Sequence, residues 1–509
     1  MIVIRHRLYQ ALLGGVAIVL GLVFLGTKLV AYYTRWNDDL GISVFNGKLP
    51  VIPQYDQIAD PSRGSLILDT EVPDPVQDAS ENTSNESAST FTAAPTGSSG
   101  SLQEFSPEWN NKSTWPQWSK HQKPTDSSQA TTTNRISHER LDRHVHSILN
   151  FRDEWPYQRV SCPAGIAERY QNLQDTEDNS QVRYFFALNP YEALDALPRL
   201  MSSIVETVKY LGAKHCAISI VDGGSEDGTW EVLNALKPFL DKMGVRYFLA
   251  TSGHKILDGG DTSQEPLANL RNKALQPLKA EEVEPLHALA GKYSPKAVVV
   301  FLDDIAMCPE DILELVFQHV NQGAHMTCAF DWILNGTVFR DVWESRSLAG
   351  NTFFEIPHDG SLSGSDDMFF DDRQNKPRYD SFLPLQVYSC WGGMVTLNAV
   401  ALAEDTIRFR PAEQTDADCD MGEPMLLAKD LYSQGLGKIL AVPSVNVAYS
   451  DHEATKTKQI RGYVGDHVKT LNQKLDEYET VQWQTAPPDM IKCLSHSDQL
   501  AWTEWTEST

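Results

Sequence analysis

The sequence predicts an α/β fold, a mostly parallel sheet flanked by helices, behind an N-terminal transmembrane helix. Three observations carry the prediction. From about Pro156 onward, short apolar runs alternate with stretches whose apolar residues recur at helical spacing, and strands alternating with helices form parallel pairs joined by crossovers. The run Ala297 to Leu302 (AVVVFL) is apolar at every position, as a strand covered on both faces must be. The 20 residues from Leu8 to Thr27 carry no charged side chain, and at 1.5 Å per residue they span a bilayer core of about 30 Å.

The elements follow in chain order. Residues 1–7 read as a short cytoplasmic tail and 8–30 as an uncleaved signal-anchor. Lys28, Tyr32, Tyr33, Arg35 and Trp36 follow the apolar run, whereas a cleaved signal has an apolar region of about 7–15 residues ending at a small-x-small site. Arg5 and Arg7 precede the span and Lys28 and Arg35 follow it, so the positive-inside rule barely favours a cytoplasmic N-terminus. Residues 31–150 read as a flexible stem. Between Asp74 and Asn134 it is dominated by Ser, Thr, Asn, Gln, Pro and Gly, a composition that cannot bury enough apolar surface to offset its ordering entropy. Of four Asn-x-Ser/Thr sequons, Asn82, Asn85 and Asn111 lie in the stem and Asn335 beyond it.

Residues 151–455 hold the predicted Rossmann-like domain. VRYFFAL (182–188), HCAISIV (215–221), residues 245–250 and AVVVFL (297–302) read as strands. The helices between and after them are marked by Leu197 to Leu211, Val232 to Met243, Leu267 to Leu278 and Ile312 to Val320. Ligands of such sheets gather at the carboxyl ends of the strands. Residues 456–509 form a polar C-terminal extension with a helix around Val468 to Tyr478 and three tryptophans, Trp483, Trp502 and Trp505.

Composition excludes some functions. At 41% hydrophobic and 22% charged the chain is too apolar to be one disordered polymer, and a formal charge of −25 is the opposite of a nucleic-acid footprint. A phosphate-bearing ligand has to be held by local cations or a bound metal. The seven cysteines (162, 216, 308, 328, 390, 419, 493) form no CxxC pair, so no zinc site is indicated, and one or two disulfides fit a lumenal location. Neither GxGxxG after the first strand, where ALNPY stands, nor GxxxxGK[ST] occurs.

Two strand ends carry chemistry. The second strand ends in VDGGSEDGT (221–229): Asp222 can hydrogen-bond a base or ribose while Gly223 and Gly224 let a nucleotide approach the backbone. Asp227 either shares that work or, with Thr229, caps the following helix. The fourth strand ends in FLDDIAMCPED (301–311). Asp303 and Asp304, side by side at a buried tip, repel one another unless a cation intervenes, at about 4 kcal/mol for unit charges 4 Å apart in an effective dielectric of 20. Oxygen ligands suit Mn2+ or Mg2+; the alternative is that Asp304 caps the next helix. Between these tips LANLRNKAL (267–275) offers Arg271, Asn272 and Lys273 to a diphosphate or base.

These segments resemble a GT-A glycosyltransferase, and more closely the fungal capsule-associated, cryptococcal α-1,3-mannosyltransferase family (glycosyltransferase family 69). The resemblance lies in Cys162-Pro163, VDGGSEDGTWEVL, LRNKAL, VVFLDDIAMCPEDILEL, CWGGMVTLNA (390–399) and DMGEPMLLAKDL (420–431), and spans about Pro156 to His452. It implies a single-pass type II membrane enzyme of the Golgi or secretory pathway that transfers mannose from GDP-mannose to a mannose-containing glycan, with a divalent cation, Mn2+ ahead of Mg2+. Asp303 and Asp304 then occupy the metal position, joined by His452 as the late histidine, an ordinary surface histidine being the other reading. Asp222, Gly223, Gly224, Asp227, Arg271 and Asp303 face the nucleotide sugar, and Glu423 faces the acceptor hydroxyl, capping of its helix being the other reading. Trp391, Gly392 and Gly393 resemble a sugar-stacking platform, a core tryptophan in a tight turn being the other reading. Arg340, Asp341, Trp343, Glu344 and Arg346 form a cluster suited to lining the cleft. An α-product from GDP-α-mannose implies retention, by a front-face path or a covalent intermediate. The rivals are a transferase of another sugar nucleotide and a non-catalytic lumenal glycan-binding protein of the same fold.

Overall fold

The computed structural model describes residues 136–152, 157–166, 168–174, 181–252, 265–279, 293–356, 362–412, 418, 422–468, 479–494 and 500–506. The predicted span, most of the stem with Asn82, Asn85 and Asn111, and nearly all of the predicted helix at 468–478 lie outside these residues. Among the described residues no helix is long and apolar enough to cross a membrane.

The chain runs α1 (His138–Leu149), β1 (Val182–Leu188), α2 (Leu197–Leu211), β2 (Cys216–Asp222), α3 (Thr229–Met243), β3 (Arg246–Thr251), α4 (Glu265–Leu275), β4 (Tyr293–Leu302) and α5 (Pro309–Gln322). The second half continues through β5 (Met326–Ile333), β6 (Val338–Phe339), α6 (Lys376–Asp380), β7 (Leu385–Gln386), β8 (Met394–Asn398), α7 (Ala399–Ala403), α8 (Glu423–Ser433) and β9 (Ile439–Val447). Then come α9 (Asp451–Arg461), α10 (Val464–His467) and a hairpin of β10 (Met490–Leu494) and β11 (Leu500–Glu504).

One sheet organises these elements, in the order β3-β2-β1-β4-β8-β5-β9-β7 with β6 beside β5. The four strands read from the sequence pair in parallel, β1 centrally between β2 and β4. Alternate residues serve opposite faces: Phe185 and Ala187 of β1 and Ala297, Val299 and Phe301 of β4 share a cluster with Ala268, Leu270 and Ala274 of α4, while α2 packs between α1 and α5. Gly244 ends α3 in the left-handed region, with its N–H on Asp241 O and the Val245 N–H on Leu240 O, the paired closure that glycine makes cheap.

Beyond β4 the sheet is mixed. Strand β8 lies antiparallel between β4 and β5; its sequence, MVTLN, is short and directly follows Gly393, so periodicity alone does not set it apart from a loop. The stem, expected to reach residue 150, gives way earlier: α1 buries Val145 and Ile148 and packs on α2 and α3. The C-terminal extension is woven into the domain. Glu479 pairs with Arg169, Gln386 exchanges hydrogen bonds with the Gln484 backbone and donates to the Gly437 carbonyl, and the Lys492 carbonyl accepts from buried Arg346. Disulfides join Cys162 to Cys308 and Cys328 to Cys390. Cys493 is also disulfide-bonded, which exceeds the expected one or two, and Cys216 is free and buried.

Candidate active site

The carboxyl ends of β1, β2 and β4 meet at one edge. Asp222 closes β2, 2% exposed, and its Oδ2 accepts the Gly224 and Ser225 N–H groups at 3.0 Å each. Its Oδ1 is buried with no partner. Gly224 adopts φ +90°, and a side chain on Gly223 would press on the Tyr191 ring. Asp227 is fully used within the fold: Oδ1 accepts from the Thr229 N–H and hydroxyl and Oδ2 from the Leu194 N–H. The helix-start reading of Asp227 is therefore the one the geometry realises, with Gly228 as the capping residue.

Asp303 and Asp304 follow β4, each partly buried. The Asp303 N–H donates to Gly393 O at 2.9 Å, and its Oδ2 accepts the Trp391 indole N–H at 2.7 Å. Asp304 does not cap α5, whose start is made by Cys308 and Asp311. Burial raises its carboxyl to about 7, the negative charges of Asp303, Asp227 and Asp222 push the same way, and a hydrogen bond from the Tyr191 backbone pulls against them. Negative charge here exceeds what the neighbouring cations offset, and the donors are hard oxygens, so the residues fit a divalent ion. Among the described residues no three His, Cys, Asp or Glu side chains gather in ligating arrangement. His452, expected as a ligand, is exposed in the first turn of α9.

Arg271 and Glu423 form the second feature. Glu423 begins α8 and is 4% exposed. It accepts from Arg271 Nη1 at 2.5 Å, while Arg271 Nη2 stands 3.7 Å from Asp303. The guanidinium lies 4.0 Å from the centroid of the Trp391 ring. An indole covered this way and 3% exposed offers no face to a sugar: Trp391 is the core tryptophan of the alternative reading, and its polar edge holds Asp303. Arg271, expected to meet a diphosphate, already has its charge engaged by two carboxylates. Asn272 exchanges hydrogen bonds with the Phe409 backbone, and Lys273 donates to Thr251 O.

A third group stands beyond the glycine pair. Gly392 takes φ +63°, and a Cβ there would collide with the Ala329 carbonyl; its N–H donates to Asp341 Oδ2 at 2.7 Å. Burial, then the charge and hydrogen bond of Glu344, hold the Asp341 carboxyl well above the usual range. Glu344 is raised as well, by burial first, with the hydrogen bond to Asp341 pulling the other way. Asp331, fully buried on β5, is raised to about 7 by burial and then by Asp341. It accepts the Tyr449 hydroxyl at 3.1 Å and pairs with Arg340 at 3.6 Å. The Arg340 guanidinium stacks 3.9 Å above Tyr449, with its side chain 39% exposed. Arg346 belongs elsewhere: it is buried and donates to the carbonyls of Val342, Trp343, Ser345 and Lys492.

Asn189, Tyr191, Asp331 and Tyr449 escaped the reading of the sequence. The ALNPY segment lacks the glycine pattern of a dinucleotide loop, and its signal is a polar residue at the tip of a central strand. Asp331 interrupts the apolar run of β5, and a lone charge inside a strand has to be satisfied by the fold.

Comparison with known proteins now bears on this geometry. The model of the family described as cryptococcal mannosyltransferase 1 matches residues 183–430. The α-1,3-mannosyltransferase CMT1 of Cryptococcus neoformans is 32% identical over 326 residues, which cover 61% of this chain and 67% of that protein. Among solved structures, S. aureus TarS 1-349 is 12% identical with a TM-score of 0.32, over 58% of this chain and 68% of that one. A mannosyltransferase of Pyrobaculum calidifontis, in complex with GDP-Man and Mn2+, is 12% identical with a TM-score of 0.30, over 61% and 66%. Both structural scores are low, so the assignment rests on sequence, and the matched residues run from β1 through both acidic strand tips into α8. The chain belongs to the cryptococcal mannosyltransferase family and is, by that membership, a glycosyltransferase.

Proposed function

We propose that this chain transfers mannose from GDP-mannose to a hydroxyl of a mannose-containing glycan, forming an α-1,3 linkage. In this reading it has the GT-A fold and works in the Golgi or another secretory-pathway compartment, anchored by residues 8–30 with its catalytic domain lumenal. The observation that carries the reading is the excess negative charge at the tips of β2 and β4, on either side of β1, where Asp304 is crowded by Asp303, Asp227 and Asp222. The 32% identical α-1,3-mannosyltransferase supports the linkage. The exposed position of Asn335 and Thr337 on the β5–β6 turn supports lumenal glycosylation at that sequon.

Asp303 and Asp304 would hold the divalent cation, Mn2+ ahead of Mg2+, and the bound ion would offset charge building on the departing diphosphate. The remaining work falls to the chain. Trp391 and Arg271 fix the Asp303 carboxylate, which keeps the acidic tip in one arrangement before substrate arrives. Arg271 is buried against two carboxylates; among the described residues Arg340, half-exposed and steered by Asp331 and Tyr449, is a cation that can reach the phosphates. Glu423, oriented by Arg271, stands on the acceptor side. Retention is compatible with a front-face path, in which the leaving phosphate oxygen takes the acceptor proton, and with a covalent intermediate.

The test is transfer by the purified full-length protein from labelled GDP-mannose, UDP-glucose and UDP-galactose, with and without Mn2+. Mn2+-dependent transfer from GDP-mannose, lost in a folded Asp304→Ala variant, is the expected result. Undiminished turnover in that variant overturns the metal role. A folded protein that binds glycan but turns over no donor is the non-catalytic rival.

A further inference from the structure

We propose that the Cys328–Cys390 disulfide is a positioning element of the active site. It fixes the loop of residues 390–393, which holds the Asp303 carboxylate, so that transfer depends on this cross-link through Trp391. The proposal rests on Asp303 serving the transfer described above and adds to that reading what keeps the acidic tip in place.

The loop reaches the acidic tip at two points. The Trp391 indole N–H donates to Asp303 Oδ2 at 2.7 Å, and the Gly393 carbonyl accepts the Asp303 N–H at 2.9 Å. Between them the Gly392 N–H donates to Asp341 Oδ2 at 2.7 Å. The backbone that makes these contacts is intrinsically loose: Gly392 and Gly393 are consecutive, at φ +63° and +69°. Glycine visits both signs of φ about as readily and loses more freedom on folding than any other residue, so two in succession hold a shape only when something outside them imposes it. Stiffer residues are excluded, since a Cβ on Gly392 would collide with the Ala329 carbonyl and one on Gly393 would crowd Ile305.

The strand register shows what imposes it. Pairing of β8 with β5 runs from Met326 opposite Leu397 to Cys328 opposite Val395. Cys328 therefore grips the segment 390–395 at both ends, Val395 through the ladder and Cys390 through sulfur. The residue before the loop, Ser389, pairs with Arg346 rather than with β5, so the disulfide is the covalent tie between the loop entrance and that strand. Both cysteines are buried, at 0% and 2% exposed, which places closure of the cross-link during folding, in an oxidising compartment. The Cys162–Cys308 disulfide is an internal comparison. It spans 146 residues against 62, so in the chain-entropy account it stabilises the fold at least as much, and it ends at the start of α5. A cross-link that matters only for stability would rank below it in its effect on activity; one that positions Asp303 ranks above it.

The experiment compares the full-length protein with the paired variants Cys328→Ala/Cys390→Ala and Cys162→Ala/Cys308→Ala, each also combined with Trp391→Phe, which keeps an aromatic ring but loses the indole N–H. Three quantities are read: kcat/KM for GDP-mannose with Mn2+, hydrogen exchange by mass spectrometry on peptides covering 301–306 and 390–394, and melting curves to establish folding. Removing Cys328–Cys390 is expected to lower kcat/KM by about 10- to 100-fold and to speed exchange in both peptides by about tenfold or more. Trp391→Phe should lower kcat/KM comparably, and the combination little further, because both act through the Asp303 carboxylate. Removing Cys162–Cys308 should lower the melting temperature at least as much, yet leave both peptides protected and kcat/KM within about threefold of native. Should Cys328→Ala/Cys390→Ala not fold, Cys328→Val/Cys390→Ala, which refills space left by the sulfurs, is read in the same way. Native exchange in both peptides after the cross-link is removed, or losses that simply multiply with Trp391→Phe, overturns the proposal. A native protein that transfers from no donor, while exchange responds as expected, sinks the transfer reading and supports the disulfide as the clamp of the acidic tip.

Discussion

Replacing Arg271 with methionine separates the work of the buried guanidinium from that of the residues it holds. The side chain is 7% exposed, lies 2.5 Å from a Glu423 oxygen that is itself in a 5% exposed side chain, and stands 3.7 Å from Asp303. Two unit charges about 4 Å apart in an effective dielectric near 20 attract by about 4 kcal/mol, and a desolvated guanidinium on an indole face adds about 2 kcal/mol. Desolvation of the ions opposes both. The net effect of removing one partner is dominated by the charge left behind: Glu423 becomes a buried carboxylate without its cation, which costs about 3–5 kcal/mol. That is a large share of the roughly 5–15 kcal/mol of a whole domain. Arg271→Met is therefore expected to lower unfolding stability by about 3–5 kcal/mol in equilibrium urea denaturation with disulfides intact. Arg271→Met with Glu423→Gln removes the orphaned charge and should recover most of that loss. Transfer activity should stay low in the double variant, because Asp303 has lost one of its two side-chain partners. A single variant destabilised by less than about 1 kcal/mol, or a double variant no more stable than the single, would refute the buried-pair argument.

Three further outcomes follow. Asp304→Asn should abolish transfer yet raise the melting temperature of the metal-free protein at pH 8 and leave it unchanged at pH 4. Its carboxyl is held near 7 in the fold against 3.8 ordinarily, so the native state loses stability as pH rises from about 3.8 to 7 and carries the full penalty above that range. Glu310, buried in the first turn of α5, is raised from 4.5 to about 7 by burial, then by Asp311 and Glu314, with Lys458 opposing. Since the folded state holds this proton more tightly than the unfolded chain, stability should fall as pH rises from about 4.5 to 7, by up to about 3 kcal/mol. Glu310→Gln should flatten that part of a melting-temperature profile. Arg340→Ala should raise KM for GDP-mannose about tenfold, the worth of one charge-assisted contact, with little change in melting temperature; an unchanged KM would remove Arg340 from the diphosphate site.

The parallel half of the fold was legible because each of its signals is local. Apolar runs such as VRYFFAL and AVVVFL, helical spacing from Leu197 to Leu211, and acidic, glycine-bearing turns after two strands are set by residues within a dozen positions of one another. The acidic tips at Asp222 and at Asp303 and Asp304 were found for the same reason, since a carboxylate directly after a buried strand is visible without knowing the neighbours of that strand.

Tertiary structure decided the rest, because pairing and desolvation depend on partners far away in sequence. Five residues of β8 carry no signature that distinguishes a strand from a loop, and only the exposed edges of β4 and β5 place them between those strands. Arg271 and Glu423, 152 residues apart, change from two solvated charges into a buried pair only when α4 and α8 converge. Trp391 turned from a platform into a clamp for Asp303 for the same reason. The sequence by itself determined which strand tips carry the chemistry, through patterns that a short segment holds on its own. Which charges remain free to meet a substrate was settled by the fold, because the strength of a charge depends on how much water and how many opposite charges the rest of the chain leaves beside it.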